Sequence, residues 1–267
     1  MKVVLFCGGL GTRLRDYGNN IPKPLVPIGY RPVLWHVMKY YAHFGHKDFI
    51  LCLGYLADKI KHYFLNYDEC VSNDFTFSQG GKQIELKHSD IQDWNITFVD
   101  TGLNSNIGTR LRLVAPYLKG EEMFLANYSD GLTDYPLTEM VNAFKASGKV
   151  GAFLCASPSQ TFHIVELGEE NTVEDIRYVR EANLLINCGF FVFRSKIFDF
   201  LHPGDDLVGP PFERLIKLRQ LSGFRCRNFW AMDTFREQQE LSDLYERGHA
   251  PWVVWNNGSS VKETPGL

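Results

Sequence analysis

Short, unbroken apolar runs recur along the chain at residues 3–6, 49–53, 123–127 and 149–156. Each is strand length and lacks the alternation of a half-exposed strand, so each suits a strand buried on both faces of a parallel sheet. Residues 95–99 read as a further sheet strand, and 229–232 as a strand leading into a helix. Between these runs the period changes. Apolar residues at 33, 34, 37, 38, 41 and 44 keep helical spacing behind Pro32, a residue suited to a helix start. Further helices are expected over 57–67, from Gly108, over 137–146 with Asp134 as its cap, and over 241–247. Residues 26–32 read as a loop, and His36, His43 and His46 as surface or capping groups rather than a metal cluster. Strand and helix in alternation predict an α/β fold: a Rossmann-like, mixed, mostly parallel sheet flanked by helices.

Residues 70–95 break that rhythm. Phe75-Thr76-Phe77 and Ile84-Glu85-Leu86-Lys87 alternate around Gly80-Gly81, which predicts a small β-hairpin excursion. The chain of 267 residues, 45% hydrophobic, can bury a full core over 1–255 as a single domain, with a loose Gly/Ser/Pro-rich tail at 256–267.

Charge and cysteines narrow the function classes. A net charge of −3 with no basic block argues against nucleic acid as a partner. No apolar run approaches the roughly 20 residues of a membrane span. Met1-Lys2 leads straight into a core strand, leaving no room for a signal peptide. The six cysteines are scattered without a Cys-x-x-Cys, as buried thiols in a reducing compartment are. A cytoplasmic protein is expected.

The candidate chemistry gathers at the first strand. Leu5-Phe6-Cys7 runs into Gly8-Gly9-Leu10-Gly11-Thr12-Arg13, and Lys23 follows between Pro22 and Pro24. Glycines let the backbone turn tightly and bring N–H groups close to an anion. Arg13 adds a forked cation and Lys23 a compact one. Together they fit a nucleoside triphosphate. No Gly-Lys-Ser/Thr closes the loop, so it is not the common P-loop, and the third glycine of a dinucleotide fingerprint is missing. Asp130, on the turn after the buried strand 123–127, is placed to hold Mg²⁺ against phosphate oxygens. The plainer readings are an ordinary βα turn for the glycines and a simple Asp-Gly turn at Asp130. Their joint occurrence in one chain favours the ligand site.

Gly-Gly-Leu-Gly-Thr-Arg-Leu followed by Pro-Lys-Pro-Leu resembles the signature of the sugar-phosphate nucleotidylyltransferases. Val99-Asp100-Thr101-Gly102 and Gly108-Thr109-Arg110-Leu111, with Ala250-Pro251-Trp252 and Trp255, resemble the glucose-1-phosphate cytidylyltransferase branch. The resemblance runs from Met1 to about Trp255. It implies a nucleotide site of Leu5, Cys7, Gly8, Gly9, Gly11, Thr12, Arg13, Lys23, Asp100, Thr101, Arg110 and Ser129. Arg110 is expected to reach a cytosine carbonyl or a phosphate. Arg13 and Lys23 would be catalytic, and Asp233 would be the second Mg²⁺ ligand beside Asp130, with Thr234 capping the following helix. The 70–95 hairpin would serve in assembly, implying a homo-oligomer.

The acceptor half, about 156–230, departs from the family pattern. Thr161-Phe162-His163 stands where Arg-Phe-Gly is usual, and Gly209-Pro210-Pro211-Phe212-Glu213 replaces a Glu-rich helix start. The lysine that holds the sugar phosphate is missing, leaving Arg177 or Arg180 to substitute. Residues 186–193 keep the family's strand, with Asn187 and Tyr128 as acceptor-binding residues. The implied reaction moves CMP from CTP to a phosphorylated acceptor, glucose 1-phosphate or a related sugar phosphate, releasing pyrophosphate. Two alternatives stand beside it: the same chemistry on a non-glucose phosphorylated metabolite, and a non-catalytic nucleotide-binding subunit.

Overall fold

The structure, a computed structural model, describes residues 1–9, 20–159 and 162–256. Seven strands form one sheet: β1 Val3–Phe6, β2 Asp48–Leu53, β3 Asn95–Asp100, β4 Met123–Asn127, β5 Gly151–Ala156, β6 Ile186–Arg194 and β7 Leu221–Arg225. Their spatial order is β7-β5-β6-β4-β1-β2-β3. All run in one direction except β6, which is antiparallel to β4 and β5. The expected mixed, mostly parallel sheet is present. Among the described residues six helices flank it: α1 Val33–His43, α2 Ala57–Leu65, α3 Ile107–Val114, α4 Leu137–Ser147, α5 Pro210–Lys217 and α6 Phe235–Glu246. Among the described residues no helix is long and apolar enough to cross a membrane.

Burial on both faces explains the unbroken apolar runs. Val3 and Leu5 of β1 join a core with Leu34, Val37 and Tyr41 of α1 and Met140 and Phe144 of α4. Val4 and Phe6, pointing the other way, join Leu111 and Val114 of α3 and Phe212 and Leu215 of α5. Each fully buried Leu or Phe contributes about 2 kcal/mol through the apolar area it removes from water. Strand order reverses at β1, with β2 on one side and β4 on the other, and open α/β sheets bind ligands at such a point.

Several local expectations need correction. Asp134 does not cap α4. That helix starts behind Pro136 with no side-chain cap, and the Asp134 carboxylate instead accepts from Asn228 Nδ2 at 2.7 Å. Residues 27–32 are not a plain loop: Pro27–Ile28 pairs with Arg31–Pro32 around Gly29, at φ 61. The hairpin is found, as Phe75–Ser78 against Gln83–Leu86, but a second exposed ribbon, His163–Leu167 against Val173–Tyr178, was not foreseen.

His36 is buried rather than at the surface. Its Nε2–H donates to Ile28 O at 3.0 Å, and its ring meets Trp35 and Tyr245 edge-on. Burial holds its pKa down to about 4 from 6.5. Unfolding therefore takes up a proton between these values. The associated stability is complete above pH 6.5 and is lost as pH falls toward 4. Between pH 7 and 5 the wild type is expected to lose about 2 kcal/mol more than His36→Gln. Urea unfolding at the two pH values checks this, and equal pH slopes would reject it.

Candidate active site

At the carboxyl ends of β1 and β4 lies a cleft of about 360 Å³. One wall is Cys7, Gly8 and Gly9, and another is Tyr128, Ser129 and Asp130. The start of α3 and the side chains of Lys23 and Asp206 complete the lining. The glycine wall is held from behind by Arg110, which is buried. Its guanidinium donates to Gly8 O at 2.9 Å, Leu53 O at 3.1 Å, Thr101 Oγ1 at 2.7 Å and Leu103 O at 3.4 Å. A Cβ on Gly8 would collide with that guanidinium, so only glycine lets the loop settle on it. Both terminal nitrogens of Arg110 are thus engaged with protein acceptors, and the side chain braces the loop while also lining the cleft.

Asp100 and Thr101, expected at the nucleotide, support the same scaffold. The Asp100 carboxylate accepts from Gly102 N–H at 2.9 Å, and the Thr101 hydroxyl donates to Leu53 O at 2.7 Å. Leu5 is wholly buried in β1 and lies beneath the loop. Cys7 lines the cleft, but burial pushes its thiol up to about 12, which leaves it neutral. Gly11, Thr12 and Arg13 lie outside the described residues.

Across the cleft, Ser129 has a left-handed backbone at φ 64, a conformation that costs a non-glycine residue about 1 kcal/mol. Its N–H donates to Asn127 Oδ1 at 2.6 Å and its hydroxyl to Phe6 O at 2.8 Å. These bonds hold the turn that presents Asp130. A three-residue ladder then brings the second carboxylate over. Gly131–Thr133 pairs with Phe229–Ala231, and Met232 N–H donates to Asp130 O at 3.1 Å. Asp233 follows directly, and its neighbour Thr234 caps α6 in a reciprocal capping box with Glu237. One residue pairs with Lys23 and the next caps the helix.

Lys23 lies between the two carboxylates. Its Nζ is 2.7 Å from Asp130 Oδ2 and 2.5 Å from Asp233 Oδ1. Pro22 and Pro24 fix the backbone around it, and Pro24 is buried. Burial alone would lower the Lys23 pKa, but the charges and hydrogen bonds of Asp130 and Asp233 outweigh it and the net shift is upward. The ammonium is a fixed charge. Two carboxylates, 107 and 210 positions from Lys23 in the chain, thus meet at its one nitrogen.

The acceptor residues divide. Tyr128 lines the cleft, and Asn187 Nδ2 donates to its hydroxyl at 3.5 Å. Arg177 departs from expectation: it sits on the exposed second ribbon, paired with Glu166 and, at 3.2 Å, with Asp175. It is not among the residues lining the cleft. Arg180 lies on the turn Val179–Glu181 that follows that ribbon. Asp206 was missed, because nothing in Gly204-Asp205-Asp206 marks it beyond a polar loop.

The charge set suits a divalent cation. Two carboxylates already converge on one positive charge, and Mg²⁺ is commonly held by one or two carboxylates with the remaining ligands from substrate phosphate and water. Among the described residues no cluster of three His, Cys, Asp or Glu forms an all-protein cage.

Residues 2–207 match the Nucleotidyl transferase family model. Glucose-1-phosphate cytidylyltransferase of Salmonella typhimurium is 37% identical over 257 residues, covering 96% of this chain and 100% of that protein. Mannose-1-phosphate guanyltransferase of Saccharomyces cerevisiae is 26% identical over 252 residues, covering 91% of this chain and 63% of that protein. Among solved structures, UDP-glucose pyrophosphorylase complexed with UDP-glucose superposes with a TM-score of 0.67 at 14% identity, covering 92% and 98% of the two chains. That last likeness shows the shared fold.

Proposed function

The chain belongs to the nucleotidyl transferase family, in its glucose-1-phosphate cytidylyltransferase branch, and from this we propose that it joins CTP to a sugar 1-phosphate, giving a CDP-sugar and pyrophosphate. The observation that carries the reading is the meeting of Asp130 and Asp233 at the nitrogen of Lys23, with Lys23 and Asp130 both lining the cleft. An oxygen of the acceptor phosphate attacks the α-phosphorus of CTP. The bond from that phosphorus to the bridging oxygen breaks, and pyrophosphate carries the electron pair away. The nucleophile is an anion at neutral pH, so no general base is needed. The protein's task is to gather negative charge and hold the groups in line.

Gly8 and Gly9, with their backbone N–H groups, would receive the leaving phosphates, together with Gly11, Thr12 and Arg13 that follow them in sequence. Lys23 would stand at the α-phosphate, where charge builds in the transition state. Asp130 and Asp233 would hold Mg²⁺, which when bound supplies Lewis-acid neutralisation of phosphate oxygens. Arg110 keeps the loop in its binding shape through Gly8 O. A cytoplasmic setting and self-assembly belong to the same reading, and the exposed Phe77 and Ile84 of the hairpin support a subunit contact.

The test is pyrophosphate release with CTP, UTP, dTTP, ATP and GTP, each against a panel of phosphorylated acceptors. CTP with glucose 1-phosphate is expected to turn over. Turnover with CTP and only a different phosphate would shift the reading to a new acceptor, which the ion-paired state of Arg177 favours. CTP binding without turnover on any acceptor would leave a nucleotide-binding subunit.

A further inference from the structure

Lys23 and Asp233 lie 210 positions apart, yet their charged atoms meet at 2.5 Å. Each sits on a short arm, and the two arms are joined at one side chain. The first arm is residues 22–32. Pro22, Pro24, Pro27 and Pro32 each fix φ and lack an N–H, so this arm is stiff and poor in donors. Leu25 N–H donates to Pro22 O at 2.8 Å, Val26 N–H to Lys23 O at 3.1 Å and Val33 N–H to Val26 O at 2.9 Å. Pro27, just beyond that turn, has only its carbonyl to offer as a backbone partner.

The second arm is the start of α6. Thr234 caps the helix directly after Asp233, and Glu237 Oε2 accepts from the N–H of both residues. Gln238 follows, a polar side chain on the buried face of the helix, 5% exposed. Its N–H donates to Thr234 O at 3.1 Å, closing the first turn behind Asp233. Its side-chain Nε2 donates to Pro27 O at 2.7 Å and to Ser242 Oγ at 3.0 Å. Both amide protons are used, and one of them crosses to the Lys23 arm. Ser242 Oγ in turn accepts from Gly29 N–H at 3.5 Å. A Cβ on Gly29, at φ 61, would run into the Tyr245 ring, so glycine is what lets that turn nest against α6. Val26, Ile28, Met232 and Leu241 belong to one buried cluster, and this packing draws the arms together. Apolar burial has no direction. The bond from Gln238 to Pro27 O supplies the direction and sets how the arms register.

We propose that Gln238 is a positioning residue: its amide ties the Lys23 arm to the helix behind Asp233 and so places the Lys23 ammonium for the reaction. Gln238 lies outside the residues that line the cleft and acts through Lys23. The inference rests on the proposed function and deepens it by naming what aims the charge that function depends on. A misplacement of about 1 Å at a reacting group costs roughly 100-fold in rate, so a single buried hydrogen bond at the base of the arm is enough to matter.

The test uses the full chain. Gln238→Met keeps the length of the side chain and removes both donors. Its kcat with CTP and glucose 1-phosphate is expected to fall roughly 10- to 100-fold, while the KM for CTP stays within about twofold. Gln239→Met, on the exposed neighbour, should match wild type, and an equal loss there would overturn the proposal. A general loosening of the fold would also lower kcat, so the deciding measurement is the double variant. Once Lys23→Ala has removed the ammonium, Gln238→Met has nothing left to place and should lower kcat by less than about threefold further. Losses that multiply in full would overturn the proposal, as would wild-type kcat in Gln238→Met alone. The NMR signal of the Lys23 Nζ ammonium, assigned by its disappearance in Lys23→Ala, needs no turnover. It should shift or broaden in Gln238→Met, and an unchanged signal would overturn the inference by itself. Absence of turnover in the wild type would tell against the proposed function, and the NMR comparison would still decide the role of Gln238.

Discussion

Lys23→Ala is expected to lower kcat by roughly 100- to 1000-fold while weakening CTP binding by less than about tenfold. The asymmetry follows from where charge develops. In bound CTP the α-phosphate carries one negative charge, shared among contacts that the glycine loop also supplies. As the new P–O bond forms, charge on that group rises, and a compact ammonium fixed beside it then interacts most strongly. Lys23 is fixed. Two prolines flank it, two carboxylates hold its nitrogen, and their combined effect keeps it protonated. Stopped-flow turnover and equilibrium CTP titration give the two quantities separately. Equal losses in both would reduce Lys23 to a ground-state contact and undo its assigned role. The variant carries a second signature. Without the ammonium, Asp130 and Asp233 lose the positive charge they share, so the ligand-free variant should melt below wild type and recover when Mg²⁺ is added. A melting temperature indifferent to Mg²⁺ would remove the carboxylates from the metal assignment.

Much of this site could be read along the chain, and the parts that could not have physical reasons. The run Val3–Phe6 and the glycines after it announce a buried strand and a backbone-lined anion site, because both features are local. Lys23 is conspicuous for its flanking prolines. Asp233 was placed beside Asp130 by resemblance alone. The ladder that joins them has three residues on each side, too short to show a period, and pairs segments about a hundred residues apart. Arg110 is expected at the ligand by resemblance. Its actual partners are mostly backbone carbonyls, which every residue carries and no sequence reveals. His36 shares α1 with an obvious apolar stripe yet is buried against a different neighbour, the turn at Ile28. Asp206 depends on a loop clamped to α3 through Gly108, and that glycine's reason lies wholly in the tertiary contact.

Asp130→Asn and Asp233→Asn should each abolish Mg²⁺-dependent activity, with kcat/KM down by roughly 1000-fold or more. An amide keeps the size and one oxygen of the carboxylate but not its charge, and a hard divalent cation depends on that charge. Fold loss does not account for the defect. Both side chains are about one-third exposed, at 32% and 36%, and each variant leaves Lys23 one carboxylate partner. Circular dichroism and melting temperature should stay near wild type, while Mn²⁺ binding followed by water-proton relaxation should weaken in both variants. The two differ in one respect. Asp130 ends β4 behind a strained Ser129 held by Asn127 and Phe6, whereas Asp233 precedes a capped helix whose Glu237 also accepts from the Asp233 N–H at 2.8 Å. The Asp130 carboxylate is therefore on the more rigid mount, and its loss should be the less readily rescued by raising Mg²⁺. Near-normal turnover in either variant would reject that residue as a metal ligand and leave Lys23 to be explained as an ordinary ion-pair bridge.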